Sequence, residues 1–200
     1  RTDYGPEEVK AFRDQIVREV VPLASKLNEQ RRENLGLDKM YFYDTIHFAD
    51  GNPKPKGTPD ELVKHAQTMY KELSPETDEF FSIMVNEDLL DLVNRDGKMA
   101  GGFCTSFPKY ERPYIFSNFN GTDHDVTVLT HEAGHAFQCF SSRKQPLVEY
   151  LWPTLEACEI HSMSMEFLTW PWMELFFRED KEKFMLKHVT DSLCFLPYGA

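Results

Sequence analysis

Leu129-Thr130-His131-Glu132-Ala133-Gly134-His135-Ala136-Phe137-Gln138 is the stretch around which this fold is organised. Thr122 with Asp125 predicts a capping box for a helix running to about Ser142, which places H-E-x-x-H on a helix. Residues four apart on a helix share a face, so the imidazoles of His131 and His135 converge on one ion at about 2.0–2.1 Å. Glu132 is rotated by about 100° from His131. It addresses the open side of that ion, where it can take a proton from a bound water whose pKa zinc lowers to about 7. Ala133 and Gly134 leave room for this helix to lie tight against a neighbour. The donor set asks for Zn2+, one ion per chain, although cobalt or manganese suits the same ligands in vitro.

A third ligand must come from elsewhere. The longer metzincin pattern is excluded, because Gln138 and Ser141 stand where it requires Gly and His. A carboxylate on a second helix, predicted from Pro153-Thr154 to Trp170, is the remaining source. Glu156, Glu159 and Glu166 are the candidates; their spacings of three and seven put them on one face, and geometry alone does not separate them. His161 lies well round the helix from Glu159 and reads as structural. Acidic groups among Met and Leu are costly to bury, a cost offset by a dication or its histidines opposite. No cysteine has the spacing of a fourth protein ligand, which argues against a purely structural zinc.

Elsewhere the chain reads as mainly α with a small β-sheet beside the metal helix. Helices are predicted over Pro6 to about Gln30, from Thr58-Pro59-Asp60-Glu61, from Ser74-Pro75 through Val93, and over about Arg178 to Cys194. Asp50 to Gly57 is a breaker-rich loop. Strands are predicted over Gly101–Phe107 and Tyr114–Phe119 from their aromatic and β-leaning content. With 41% hydrophobic and 14% aromatic residues the chain can build a core. A net charge of −11 and a pI near 5.1 exclude nucleic acid and an anionic membrane surface as partners, since either demands a basic face. No apolar run approaches the roughly 20 residues that span a bilayer. Cys104, Cys139, Cys158 and Cys194 read as free, mostly buried thiols of a reducing compartment, which points to the cytoplasm. Arg1-Thr2-Asp3-Tyr4 is no signal peptide. The abrupt start and end suggest one excised piece of a larger protein, residues 1–200, with the zinc site carried by residues 98–170.

Leu129 to Gln138, together with Glu159-Ile160-His161-Ser162-Met163-Ser164-Met165-Glu166, resembles the oligoendopeptidase F and thimet-oligopeptidase type of zinc peptidase. The resemblance extends, more weakly, to Leu35–Asp44, Gly101–Phe107 and Phe116–Gly121. It implies a zincin-like metallopeptidase core that hydrolyses short peptides. Members of that family place the third zinc ligand at the first Glu of an E-x-x-S-x-x-x-E segment, some 24 residues past the second His, which selects Glu159. Glu166 then holds a histidine ring or the substrate side in place, and Glu156 becomes a surface or helix-supporting charge. Gly101, Gly102 and Phe103 fall on the strand whose edge would pair with a substrate peptide; the alternative is that the two glycines only permit a bulge or tight packing.

The family is several hundred residues longer, and its substrate-carbonyl-binding His and Tyr lie beyond the region matching Pro197 to Ala200. The resemblance therefore also admits a zinc- or peptide-binding fragment of little activity, since an oxyanion stabiliser is worth about 3–4 kcal/mol. A third reading is a helical structural domain with an accidental motif. Cleavage preference and oligomeric state are not legible in the sequence.

Overall fold

The structure, a computed structural model, describes residues 4–46 and 48–199. The readings of Arg1–Asp3 and of Ala200 lie outside the described residues. The chain divides into two compact units, residues 1–52 with 182–200, and residues 53–181.

In the first unit, Pro6–Glu19 (α1) and Val21–Asn34 (α2) replace the single helix expected over Pro6 to Gln30. The break falls at Val20 because Pro22 has no N–H to give and its ring crowds the preceding turn. Arg31 of α2 is buried. Its guanidinium donates to the Thr45 carbonyl and to Asp191 Oδ1 at 3.2 Å, and lies 5.5 Å from the Phe48 ring centre.

The second unit opens with Pro59–Leu73 (α3) and Pro75–Asn86 (α4). Thr58 and Ser74 cap them through the backbone N–H groups of Glu61 and Thr77. The expected helix through Val93 stops at Asn86, and Leu90–Val93 forms a strand, β1. Asp88 adopts a left-handed φ of 55°, and the Leu89 N–H returns to the Met84 carbonyl at 2.9 Å. That is a Schellman stop with Asp where Gly is usual, which explains why no breaker is visible in the sequence.

Phe103–Phe107 (β2) and Arg112–Phe119 (β3) complete a three-stranded sheet of order β1-β3-β2, with β1 parallel and β2 antiparallel to β3. Gly101 and Gly102 precede β2 rather than belonging to it. Alternate residues of β3 (Pro113, Ile115, Ser117, Phe119) are buried, the pattern of a sheet with one covered face.

His124–Ser142 (α5) packs against this sheet, against α4 and against Cys158–Leu168 (α6). Phe80 of α4 meets Phe137 and Phe140 of α5, with ring centres 5.4 and 5.7 Å apart, so the helix carrying the motif is anchored in an aromatic core. Met173–Phe177 (α7) follows the turn at Pro171, and Lys181–Gly199 (α8) starts later and runs further than the expected Arg178 to Cys194. All four cysteines are free thiols, and Cys139 is buried. Among the described residues no helix is long and apolar enough to cross a membrane.

The loop from β1 to β2 is tied down electrostatically. Asp91 receives both Arg95 terminal nitrogens, at 2.6 and 2.8 Å, and the ammonium of Lys98 at 2.9 Å. The Arg95 hydrogen bonds, helped by Lys98, hold the Asp91 carboxyl down at about 2 against an ordinary 3.8. A pKa depressed in the folded state contributes stability above the unfolded value that disappears as pH falls through the folded one. Asp91→Asn is therefore expected to cost about 1–2 kcal/mol at neutral pH, discounted for partial solvent exposure. In urea titrations the gap between wild type and variant should close between about pH 4 and pH 2; a gap constant across that range would refute the assignment.

Candidate metal centre

The site lies where α5 crosses α6. Gly134 allows the crossing: a Cβ there would stand 2.6 Å from Ser162 Cα and 2.7 Å from the His161 carbonyl oxygen, both backbone atoms. The close approach expected of Ala133 and Gly134 is present, and α6 is the neighbour. The expected Thr122–Asp125 capping box is absent. The Asp125 carboxylate instead accepts the Asn120 and Gly121 N–H groups, the latter at 2.7 Å, and fastens the β3–α5 turn. Burial raises the Asp125 pKa, while those two bonds oppose the rise.

His131 and His135 present their Nε2 atoms to the same oxygen of Glu159, Oε2, at 3.1 and 3.5 Å. One ligand atom from each of the three residues lies within 4.8 Å of the others. For bonds of about 2.0–2.1 Å, tetrahedral zinc needs donor separations of roughly 3.3 Å. Two neutral imidazoles and one carboxylate also match the ion's preferred donors, so these residues fit zinc.

The opposite side of each candidate ligand is occupied. His131 Nδ1 is 2.7 Å from Glu166 Oε1, and His135 Nδ1 is 3.2 Å from His161 Nε2. Ser162, fully buried, donates its hydroxyl to Glu159 Oε2 at 2.7 Å, while the Cys158 thiol faces Oε1 at 3.5 Å. With both Nδ1 atoms engaged, the Nε2 lone pairs are directed at the shared centre.

Glu132 is buried and stands outside this ligand group. Burial raises its pKa and Glu159 adds to the rise, whereas His131 and a backbone hydrogen bond from Cys104 pull it down. For His131, burial favours the neutral ring, but the carboxylates of Glu166, Glu132 and Glu159 together raise its pKa. His135 is shifted down by burial and by His131. Glu159 resists its own desolvation and is lowered by the Ser162 bond and the two histidines.

The structure separates the three candidate glutamates. α6 begins at Cys158, so the helix expected from Pro153-Thr154 is shorter, and Glu156 sits exposed in a turn preceding it. The shared-face argument therefore applies only to Glu159 and Glu166. His161, expected to be structural, faces the His135 ring of the motif across the helix crossing. Its signal was available: it lies on the helix that carries Glu159, two positions on.

Of Gly101, Gly102 and Phe103, it is Gly102 that lies beside Glu132. A Cβ on Gly102 would be 3.2 Å from Val128 Cγ1 and 3.8 Å from Glu132 Oε1. Gly101 has a φ of 101°, which few other residues tolerate, and its carbonyl accepts the Asn118 amide at 2.8 Å. Phe103 stacks on Phe116 with ring centres 4.9 Å apart.

A small sheet laid along a motif-bearing helix, with a carboxylate supplied by the next helix, defines a mainly α, zincin-like peptidase core. The chain belongs to peptidase family M3, whose sequence profile matches residues 1–196. It is 27% identical over 194 residues to the chromosomal oligoendopeptidase F of Lactococcus lactis subsp. cremoris, covering 96% of this chain and 32% of that protein. A solved PZ peptidase A with an inhibitor superposes on the whole chain with a TM-score of 0.96 and 56% identity, over 36% of its own length. A Bacillus anthracis str. Ames structure, provisionally assigned as oligoendopeptidase F, does so with the same TM-score and identity over 37% of its length. The chain thus spans about a third of the length of the curated relatives it matches.

Proposed function

We propose that this chain carries the catalytic core of a zinc-dependent metalloendopeptidase that hydrolyses short peptides in the cytoplasm, with catalytic residue Glu132 and metal ligands His131, His135 and Glu159. The observation that carries the reading is the convergence of two Nε2 atoms on Glu159 Oε2, with Glu132 beside the group and outside it. Zinc bound there supplies Lewis acidity to a peptide carbonyl and a more acidic water. Glu132 takes the proton of the attacking water on its carboxylate and passes it to the leaving amine. Glu166 keeps the His131 ring in orientation.

In this reading Gly101, Gly102 and Phe103 lead a substrate strand onto the outer edge of β2, the terminal strand of its sheet, by backbone hydrogen bonds. Gly102 keeps a side chain out of the space next to Glu132.

The test is cleavage of a quenched fluorescent peptide with and without chelator, alongside elemental analysis. About one zinc per chain and chelator-sensitive cleavage are expected; a zinc-free chain, or cleavage indifferent to chelator, overturns the reading. Because the chain spans a third of its relatives, a second reading is a zinc- or peptide-binding fragment of little activity. Stoichiometric zinc without turnover would favour it.

The ligand assignment has its own test in chelator competition. Glu159→Ala is expected to lower zinc affinity by about a hundredfold or more, while Glu156→Ala stays close to wild type. Equal losses in the two variants would remove Glu159 from the ligand set.

A further inference from the structure

We propose that His161 is the positioning residue for His135, bracing its Nδ1 as Glu166 braces the Nδ1 of His131. The inference rests on the zinc-peptidase reading above and adds a residue to its site.

The geometry begins with His135. Its Nε2 is 3.5 Å from Glu159 Oε2, so this nitrogen faces the shared centre. Bonding through Nε2 requires the ring proton on Nδ1, and a buried N–H needs an acceptor. The ring nitrogen opposite it is His161 Nε2, at 3.2 Å. The two rings are inclined at 79° with centres 5.2 Å apart, which rules out stacked faces, and the 3.2 Å nitrogen–nitrogen contact joins them. For His161 Nε2 to accept, its own proton must reside on Nδ1. One contact thereby selects the tautomer of both rings.

The backbone makes this contact a product of the helix crossing. The His161 carbonyl lies on the α5 surface where Gly134 has no side chain. Within four residues α6 thus supplies the carboxylate (Glu159), the hydroxyl that orients it (Ser162) and the ring that orients the second imidazole (His161). The two braces differ in kind. Glu166 offers a carboxylate oxygen at 2.7 Å, and His161 a neutral nitrogen at 3.2 Å. A charge-assisted bond is stronger than a neutral one, so His161 is expected to fix direction more than to enrich the ligand's basicity.

Zinc affinity, measured by competition with a chromophoric chelator, provides a readout independent of turnover. His161→Leu is expected to weaken binding by about tenfold, the lower end of what loss of a ligand's outer hydrogen bond costs. His161→Gln, whose amide oxygen can reach the place of Nε2, should recover most of that loss. His161→Asn is polar but one carbon shorter, and should behave like the leucine variant. It keeps the test alive if His161→Leu does not fold, which thermal unfolding of the metal-free proteins establishes. Leucine and asparagine variants with wild-type affinity overturn the proposal. So does a glutamine variant as weak as the other two, since His161 would then act by packing. A wild-type chain that takes up no zinc overturns the parent reading instead, a result distinct from equal affinities among zinc-binding variants.

Discussion

Gly134→Ala is expected to cut zinc affinity by about a hundredfold or more and to lower stability by about 1–2 kcal/mol. The added methyl would lie 2.6 Å from Ser162 Cα, 2.7 Å from the His161 carbonyl and 3.0 Å from Met165 Cβ. Ordinary contact starts near 3.4 Å, and two of these three atoms are backbone, so no rotamer change relieves the clash. α6 must move away from α5 by close to 1 Å. Alanine's better helix propensity returns about 1 kcal/mol, which is why the stability loss is modest although overpacking alone costs up to about 3 kcal/mol. The proposed metal site has no such compensation. α5 carries both histidines, while α6 carries Glu159, Ser162, His161 and Glu166. A rigid displacement of α6 stretches every cross-helix contact at once. Chelator competition and thermal unfolding of Gly134→Ala measure the two effects separately. A variant with wild-type zinc affinity would show that the ligands do not depend on this crossing.

The same crossing marks how far the sequence was legible. H-E-x-x-H could be read because its two histidines belong to one helix, and helical spacing is local information. Helical spacing alone does not separate Glu159, the proposed third ligand, from Glu156 and Glu166. Periodicity predicts a helix from Pro153, which puts Glu156 on the same face as Glu159, whereas the observed helix begins at Cys158 and leaves Glu156 in a turn. The contact between His161 and His135 is hidden in the sequence for a related reason. The direction of His161 depends on how α6 is rotated against α5, and that rotation is set by tertiary packing around Gly134 and Ser162.

Departures of the fold from the sequence pattern have equally local causes. The pattern extends the helix over β1 because Leu89 to Val93 is a short apolar run, ambiguous by pattern, and the left-handed residue that stops α4 is Asp88 rather than glycine. Pro22 was visible, yet the apolar spacing from Val9 to Leu27 runs on through it, and the steric cost of proline prevailed over the pattern. Thr122 with Asp125 predicts a capping box, but the Asp125 carboxylate has a different partner. Its carboxylate fastens the preceding turn instead of the Thr122 cap, a choice that follows from the approach of β3 to α5.

Glu132→Gln is expected to leave zinc affinity within a few-fold of wild type and to lower peptide hydrolysis by about a thousandfold. The two outcomes follow from different features of one side chain. Glu132 is not among the converging ligand atoms, so losing its charge removes no donor. Glutamine has nearly the same shape, and its amide oxygen can keep the backbone hydrogen bond that Cys104 gives to the carboxylate. Packing against Gly102 is likewise retained, and the variant should fold and melt as wild type does. What disappears is the proton acceptor. Burial already raises the carboxyl above its ordinary value and so makes it a stronger base than a solvated glutamate, whereas an amide oxygen has no useful basicity near neutral pH. Paired assays of metal content and quenched-peptide cleavage decide the matter. Loss of zinc from Glu132→Gln would make Glu132 a ligand and His131, His135 and Glu159 an incomplete set. Unchanged turnover with zinc retained would mean that the proton passes through another group, and that this glutamate only fills the space beneath the substrate strand.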